Sequence, residues 1–125
     1  MSLRDNYGAE LKSLDKLSID LLSFLVCQVV KVRQIMFYYV YVLESIKNSS
    51  LYVGFTQDLR KRLLEHNRGL VFSTKPYKPW RIIHYEAYLD KRDAARREKY
   101  LKTNQSARLL RRMLKEYFYF KKTNK

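Results

Sequence analysis

Two stretches, Phe37–Leu43 (FYYVYVL) and Leu51–Phe55 (LYVGF), decide how this chain folds. Both are rich in β-branched and aromatic residues, which suit the pleated, half-buried surface of a sheet. Between them, Ser45–Ser50 contains Lys47, Asn48, Ser49 and Ser50, the composition of a hairpin loop. Downstream, Asp58 is placed to cap a helix through Leu59, Leu63 and Leu64 to Asn67, with Gly69 stopping it. Arg68–Pro79 reads as a basic loop, and Trp80–Tyr88 (WRIIHYEAY) alternates as a third strand. Asp90 caps a helix from about Lys91 to Lys102, and Ser106 caps a last one reaching about Tyr119. The order β-β-α-β-α-α predicts an α/β fold, a small three-stranded antiparallel sheet flanked by helices.

Upstream of Met36 the chain changes character. Residues 1–36 hold Arg4, Lys12, Lys16, Lys31 and Arg33 against Asp5, Glu10, Asp15 and Asp20, a net charge of +1. The chain as a whole carries 26 basic and 12 acidic residues, so +13 of its +14 falls on residues 37–125. The apolar run Leu17–Val32 is interrupted by Ser18, Asp20, Ser23, Gln28 and Lys31, which makes it too short and too polar for a membrane span. It fits an extra N-terminal helical segment, with Leu14, Leu17, Leu21, Leu22 and Leu25 near one face. A start at Met36, with the residues before it a misassigned extension, is the other reading. The expected organisation is an N-terminal extension over 1–36, one compact domain over 37–120 and a basic tail over 121–125.

At 125 residues, 46% hydrophobic and 14% aromatic, the chain can bury one core, which argues against disorder over most of its length. A surplus of +14 on so small a chain repels itself unless the usual partner is a polyanion, and nucleic acid is the commonest one. Cys27 is the single cysteine, which excludes an intrachain disulfide. With only His66 and His84 besides, no zinc ligand set of recognisable spacing can be assembled. A cytoplasmic setting without membrane contact is the expectation.

Of the 11 tyrosines, ten follow residue 37, and most read as aromatic core with wet hydroxyls. Tyr41 and Tyr52 are expected to face each other across the hairpin, with Tyr39 on the same strand face as Tyr41. Gly54 removes a side chain at a strand end, where a ligand or another backbone can approach. Arg62 and His66 are four apart on the first helix and so point at one place. Arginine forks suit phosphate oxygens, and histidine passes protons near neutral pH. Alone, Arg62 reads as a solvated charge and His66 as a capping or surface residue; their shared spacing carries more weight.

Tyr39–Val40–Tyr41, a short hairpin, Tyr52–Val53–Gly54, then Arg62 and His66 resemble the signature of the GIY-YIG endonucleases. The resemblance continues through Leu70–Trp80 (LVFSTKPYKPW), Tyr85–Tyr88 (YEAY) and Ala95–Lys102 (ARREKYLK), and covers about residues 37–119. Within that superfamily the chain resembles the short single-domain bacterial branch, which is related to the nuclease domain of the excision-repair nuclease. Tyr39 stands at the family's first glycine and Val40 at its isoleucine.

The resemblance implies a metal-dependent endonuclease that hydrolyses phosphodiester bonds in DNA, in repair or recombination. It implies that Tyr41 or Tyr52 helps activate the attacking water, and that Arg62 holds the scissile phosphate. It makes His66 a proton-transfer or tyrosine-orienting group and Glu98 the ligand of a divalent ion, Mg²⁺ or Mn²⁺. Asn104 is the candidate for an amide side chain near that ion. The family's members with known targets carry a separate DNA-binding domain, so a targeting protein is an expected partner besides DNA.

Read without the resemblance, Glu98 is half of a surface pair with Lys102. Lys75, Lys78, Arg81, Arg96, Arg97, Arg108, Arg111 and Arg112 are candidate footing for a nucleic-acid backbone. Tyr77 and Trp80 are candidates for stacking on a base, with core packing the stronger reading for Trp80. Two rivals remain: a catalytically silent nucleic-acid-binding module, and a basic protein of the ribosome or nucleoid.

Overall fold

The computed structural model of the chain describes Leu21 and residues 35–125. The expected N-terminal helix, Leu21 apart, and Cys27 lie outside the described residues. Met36–Lys125 forms a compact unit.

The hairpin forms as its composition dictates, with β1 at Tyr38–Ser45 and β2 at Leu51–Thr56. The third strand, β3, runs Trp80–Tyr88. All pairings are antiparallel and the order is β2-β1-β3, so β1 is central. That placement explains its composition: from Val40 to Ser45 every residue is buried, because helices cover both faces. Alternation splits β1 between two cores. Val40 and Val42 pack with Val53, Ala94, Leu101 and Leu110. Tyr41 and Leu43 pack on the other face with Trp80, Leu59 and Leu63. Each such buried aliphatic side chain contributes roughly 1.5–3 kcal/mol. A bulge in β3 leaves Ile83 without a partner on β1, since Val42 pairs with His84 and Leu43 with Ile82. Ile82 packs in the second core and Ile83 in the first.

The helix α1 spans Leu59–Asn67, capped by Asp58, whose carboxylate accepts from Lys61 N at 3.0 Å. Gly69, at φ 75°, follows it in the left-handed region that ends helices. In the basic loop, Lys75–Tyr77 makes one 3₁₀ turn. The next helix, α2, spans Lys91–Leu101 and is capped by Asp90 on Arg92 N at 2.8 Å.

The C-terminal reading needs correction. The expected single last helix is two, α3 over Asn104–Met113 and α4 over Lys115–Thr123, broken at Leu114. Ser106 is not the cap: Thr103 holds that position, and Ser106 is buried with its hydroxyl on the Leu101 and Thr103 carbonyls. It thus satisfies a carbonyl left free where α2 ends. The break at Leu114 follows from Glu44 on β1, which is only 1% exposed. A buried carboxylate is costly unless paired, and α4 turns back to bring Tyr117 and Lys121, four apart, onto it. Arg81 of β3 adds a bond from Nη2 at 3.0 Å. Burial pushes the Glu44 pKa up, but the bonds from Lys121, Tyr117 and Arg81 outweigh it and hold the group below its ordinary value.

Candidate active site

The cluster gathers on the α1 face of β1. Tyr41 is 1% exposed and His66 0%. The Tyr41 hydroxyl lies 2.9 Å from His66 Nε2 and accepts from Arg62 Nε at 3.3 Å. The four-residue spacing on α1 therefore does converge, and the point of convergence is one phenol oxygen. Glu65 steadies the arginine, its carboxylate accepting from Arg62 Nη1 at 2.8 Å.

Tyr41 and Tyr52 are not directly opposed. The hairpin register pairs Tyr41 with Gly54 and Leu43 with Tyr52, so the two tyrosines are diagonal neighbours with ring centroids 6.5 Å apart. The glycine is explained by this register. A Cβ at Gly54 would overlap the hydroxyl and ring of Tyr41, so the group that comes close to it is the phenol itself. Tyr52 is half-buried and presents its ring edge-to-face to His66 at 5.1 Å, with Trp80 at 6.2 Å.

Thr74 completes the arrangement, and nothing in the sequence singled it out. It is 1% exposed, and its Oγ1 lies 2.6 Å from His66 Nδ1. With that hydroxyl turned to the Val71 carbonyl, 3.3 Å away, it accepts from Nδ1–H. Nε2 is then unprotonated and accepts from Tyr41. Trp80 locks the far side: its indole donates to the Thr74 carbonyl at 2.9 Å, and its backbone is held by both ends of the Asn67 amide, at 2.6 and 3.1 Å. The only hint in the sequence was Thr74's place inside the Leu70–Trp80 stretch. A lone threonine in a basic loop carries no spacing signal of its own.

Charge states follow from this packing. Burial, reinforced by the Arg62 charge, lowers the His66 pKa to about 4, so the imidazole is neutral at pH 7. Burial also raises the Tyr41 pKa, partly opposed by the bond and charge of Arg62. Arg62 is held protonated above its ordinary value, by its bond to Glu65 first and to Tyr41 second. At rest the site is a neutral phenol hydrogen-bonded to a neutral imidazole, under a fixed guanidinium.

Glu98 lies on α2, close enough for its charge to act on Tyr41, and bonds Lys102 Nζ at 2.7 Å. Lys102 in turn sits 6.0 Å from the Tyr52 ring centroid. Glu98 thus belongs to the cluster's rim and also makes the surface pair expected of it. Asn104 is exposed and lines the same cleft as Tyr52 and Lys102. Among the described residues no group of three or more His, Cys, Asp or Glu stands ready to hold a metal. One carboxylate, its side chain 24% exposed, still fits Mg²⁺, which keeps several waters and shares its shell with substrate phosphate.

The eight candidate phosphate-binding residues divide. Arg97 is committed to Glu86 by two bonds of 2.9 Å and Arg81 to Glu44, while Arg96 makes a looser 3.4 Å pair with Asp93. Lys75, Lys78, Arg108, Arg111 and Arg112 are exposed. Tyr77 is 44% exposed, whereas Trp80 is 4% exposed and belongs to the core. Among the described residues no helix is long and apolar enough to cross a membrane.

The model of the GIY-YIG catalytic domain matches residues 37–113. A UPF0213 protein of Clostridium perfringens is 37% identical over 91 residues, covering 69% of this chain and 97% of that protein. One of Bacillus pumilus is 39% identical over 67 residues, covering 53% of this chain and 67% of that protein. The solution NMR structure of a UPF0213 protein of Bacillus halodurans is 31% identical, covers 62% of this chain and 85% of that one, and has a TM-score of 0.41. With the match running from the first strand through the end of α3, this chain belongs to the GIY-YIG catalytic domain family.

Proposed function

We propose that this chain is an endonuclease that hydrolyses phosphodiester bonds in DNA, with Tyr41, Tyr52, Arg62, His66 and Glu98 as its working groups. The GIY-YIG domain defines a nuclease family whose members generally depend on a divalent metal. The observation that carries the reading is the Tyr41 oxygen, held between His66 Nε2 and Arg62 Nε.

A phenol oxygen has one proton and two lone pairs. The proton points to His66 and one lone pair accepts from Arg62; the second lone pair would take a proton from an attacking water once substrate binding admits one to this buried oxygen. Tyr41 passes its own proton to Nε2 as it does so. A free phenolate, which burial disfavours, need not accumulate. The imidazolium so formed, with its pKa lowered to about 4 by burial, gives the proton up again readily. Arg62, 34% exposed in its side chain, carries positive charge toward the phosphate, where negative charge grows in the transition state. Tyr52 forms the cleft wall between His66 and Lys102 and orients the phosphate or the water.

Glu98 would hold the divalent ion, Mg²⁺ or Mn²⁺, once Lys102 swings aside. The ion supplies charge neutralisation at the phosphate and leaving oxygens. Lys75, Lys78, Arg108 and Arg112 would hold the backbone without reading its sequence. Residues 37–120 would form the nuclease domain, acting in repair or recombination in the cytoplasm, with a separate protein supplying the target.

The test is cleavage of labelled duplex, nicked, flapped, forked and single-stranded DNA, each with Mg²⁺, Mn²⁺ or EDTA. Metal-dependent cutting that disappears in Tyr41→Phe and Glu98→Ala is the expected result. Binding without cutting on every substrate would instead favour a silent binding module.

A further inference from the structure

Away from the catalytic cluster, a cleft opens between the β1–β2 hairpin and the C-terminal helices. Its walls carry Arg111 of α3 and Lys121 and Lys122 of α4, with Lys125 beyond the helix end. Leu51 and Phe118 form an apolar patch in it, and Glu44 and Ser49 complete the lining. The cations in this cleft are not equivalent. Lys121 is committed to Glu44, and to the Ser49 hydroxyl at 2.8 Å. Glu44 in turn already accepts from Lys121, Tyr117 and Arg81, so its charge is met by Lys121 and Arg81. Arg111, Lys122 and Lys125 make no ion pair among the described residues, and all three are exposed.

The cleft also adjoins the groove beside the site, the two meeting at Leu51. The groove beside Tyr52, Lys102 and Asn104 runs between the β2 edge and α3 to Leu110, and Leu51 lines both this groove and the cationic cleft. A strand of nucleic acid offers what such a path requires: phosphates at regular intervals for cations, and sugars and bases for apolar surface.

We propose that the cleft of Arg111, Lys122 and Lys125 is a second phosphate-binding tract, which holds the substrate's backbone several nucleotides from the bond cut beside Tyr52 and Arg62. The tract rests on the nuclease reading only in taking the same strand; it is a binding site and needs no turnover. Its effect is to make affinity grow with strand length, because only a strand long enough to follow the β2–α3 groove reaches both places.

The experiment measures binding in EDTA, so that cleavage and its failure do not enter. The probes are fluorescein-labelled single-stranded DNA of about 4 and about 16 nucleotides, the range of lengths that basic grooves cover. The full chain is compared with Arg111→Gln/Lys122→Gln/Lys125→Gln. A control, Arg60→Gln/Lys91→Gln/Arg92→Gln, removes the same charge at exposed positions outside the cleft. Expected for the cleft variant is a loss of the long probe's advantage over the short one, with the short probe's affinity unchanged. The slope of log affinity against log salt on the long probe should flatten by about 2, at roughly 0.7 for each phosphate no longer neutralised. The control variant should keep the advantage. Equal weakening by both triple variants would overturn the tract and leave only net charge, as would a wild-type affinity independent of length. Loss of binding to phosphatidylglycerol vesicles with unchanged DNA binding would assign the cleft to a membrane surface instead.

Discussion

His66 Nδ1 lies 2.6 Å from the Thr74 hydroxyl, and its other ring nitrogen lies 2.9 Å from the Tyr41 hydroxyl. The imidazole therefore bridges the basic loop and the central strand. With the Thr74 hydroxyl turned to the Val71 carbonyl, 3.3 Å away, the bridge takes a direction, and the loop favours the tautomer that lets His66 accept from Tyr41.

Replacing Thr74 separates that directional role from simple packing. Thr74→Val keeps the shape and removes the acceptor for Nδ1–H, freeing the ring to change tautomer. Cleavage should fall at least tenfold with little change in KM, and Thr74→Ser should restore most of it. Nitrogen NMR of His66 should show the proton leaving Nδ1 in the valine variant alone. A valine variant with wild-type cleavage and an unchanged tautomer would reduce Thr74 to packing.

The two tyrosines should differ on removal of their hydroxyls. Tyr41→Phe leaves His66 Nε2 and Arg62 Nε without their partner; it should cost about 100-fold or more in kcat, the lower end of general acid–base effects. Its stability should fall by about 1–3 kcal/mol, because a buried acceptor is orphaned. Tyr52→Phe keeps the ring packing against His66 and Trp80, so its melting temperature should stay near wild type while cleavage drops. Matched single-turnover rates and thermal melts distinguish the two.

Gly54 should not accept even a methyl group. A Cβ there overlaps the ring and hydroxyl of Tyr41, a side chain that is 1% exposed and cannot swing away. Gly54→Ala should lose about 1–3 kcal/mol by overpacking, read from the urea midpoint, and cleavage with it. Normal stability and activity in this variant would mean that Tyr41 has room the structure does not show.

Acid should weaken the fold in two separable windows. His66 is neutral in the folded state down to about pH 4 but titrates near 6.5 when unfolded, so the unfolded chain binds the extra proton first. Stability should decline as pH falls from 6.5 toward 4, by a total of about 3 kcal/mol at 1.36 kcal/mol per pK unit. Glu86 acts lower: burial raises its pKa, but bonds from Arg97, Tyr88 and His84 outweigh that and bring it to about 2. Its contribution is complete above about pH 4.5 and is lost on the way to 2. Urea midpoints against pH should lose the upper window in His66→Gln, while Glu86→Gln should shrink the lower one, which Glu44 shares.

Glu98→Gln should change activity and hardly touch stability. Its pair with Lys102 is a surface one, the lysine side chain being 50% exposed, and such pairs contribute under about 1 kcal/mol. Cleavage should need far more Mg²⁺, or stop, while the melting temperature holds. Unchanged Mg²⁺ dependence would remove Glu98 as the metal ligand.

The local elements were legible because their signals are local. The hairpin, the α1 stop at Gly69 and the caps at Asp58 and Asp90 each rest on residues within a few positions of one another. So does the convergence of Arg62 and His66, which one helical turn guarantees. Legibility ended where partners are far apart. The diagonal relation of Tyr41 and Tyr52 depends on hairpin register, and the break at Leu114 depends on a carboxylate some 70 positions upstream, Glu44 meeting Tyr117. Arg81 and Arg97 read as free cations in the sequence, and the fold supplied Glu44 and Glu86 to hold them.

The kinds of element, their order, the positive field and the residue types of the site thus followed from the order of amino acids alone. Propensity, capping and periodicity act over a few residues and need no knowledge of the rest of the chain. Which groups meet was left to the packed fold. It placed Thr74 behind His66, the Tyr41 phenol against a bare Gly54, and Glu44 beneath α4. Those choices belong to burial, which compels each buried polar group to find a partner wherever the chain can bring one.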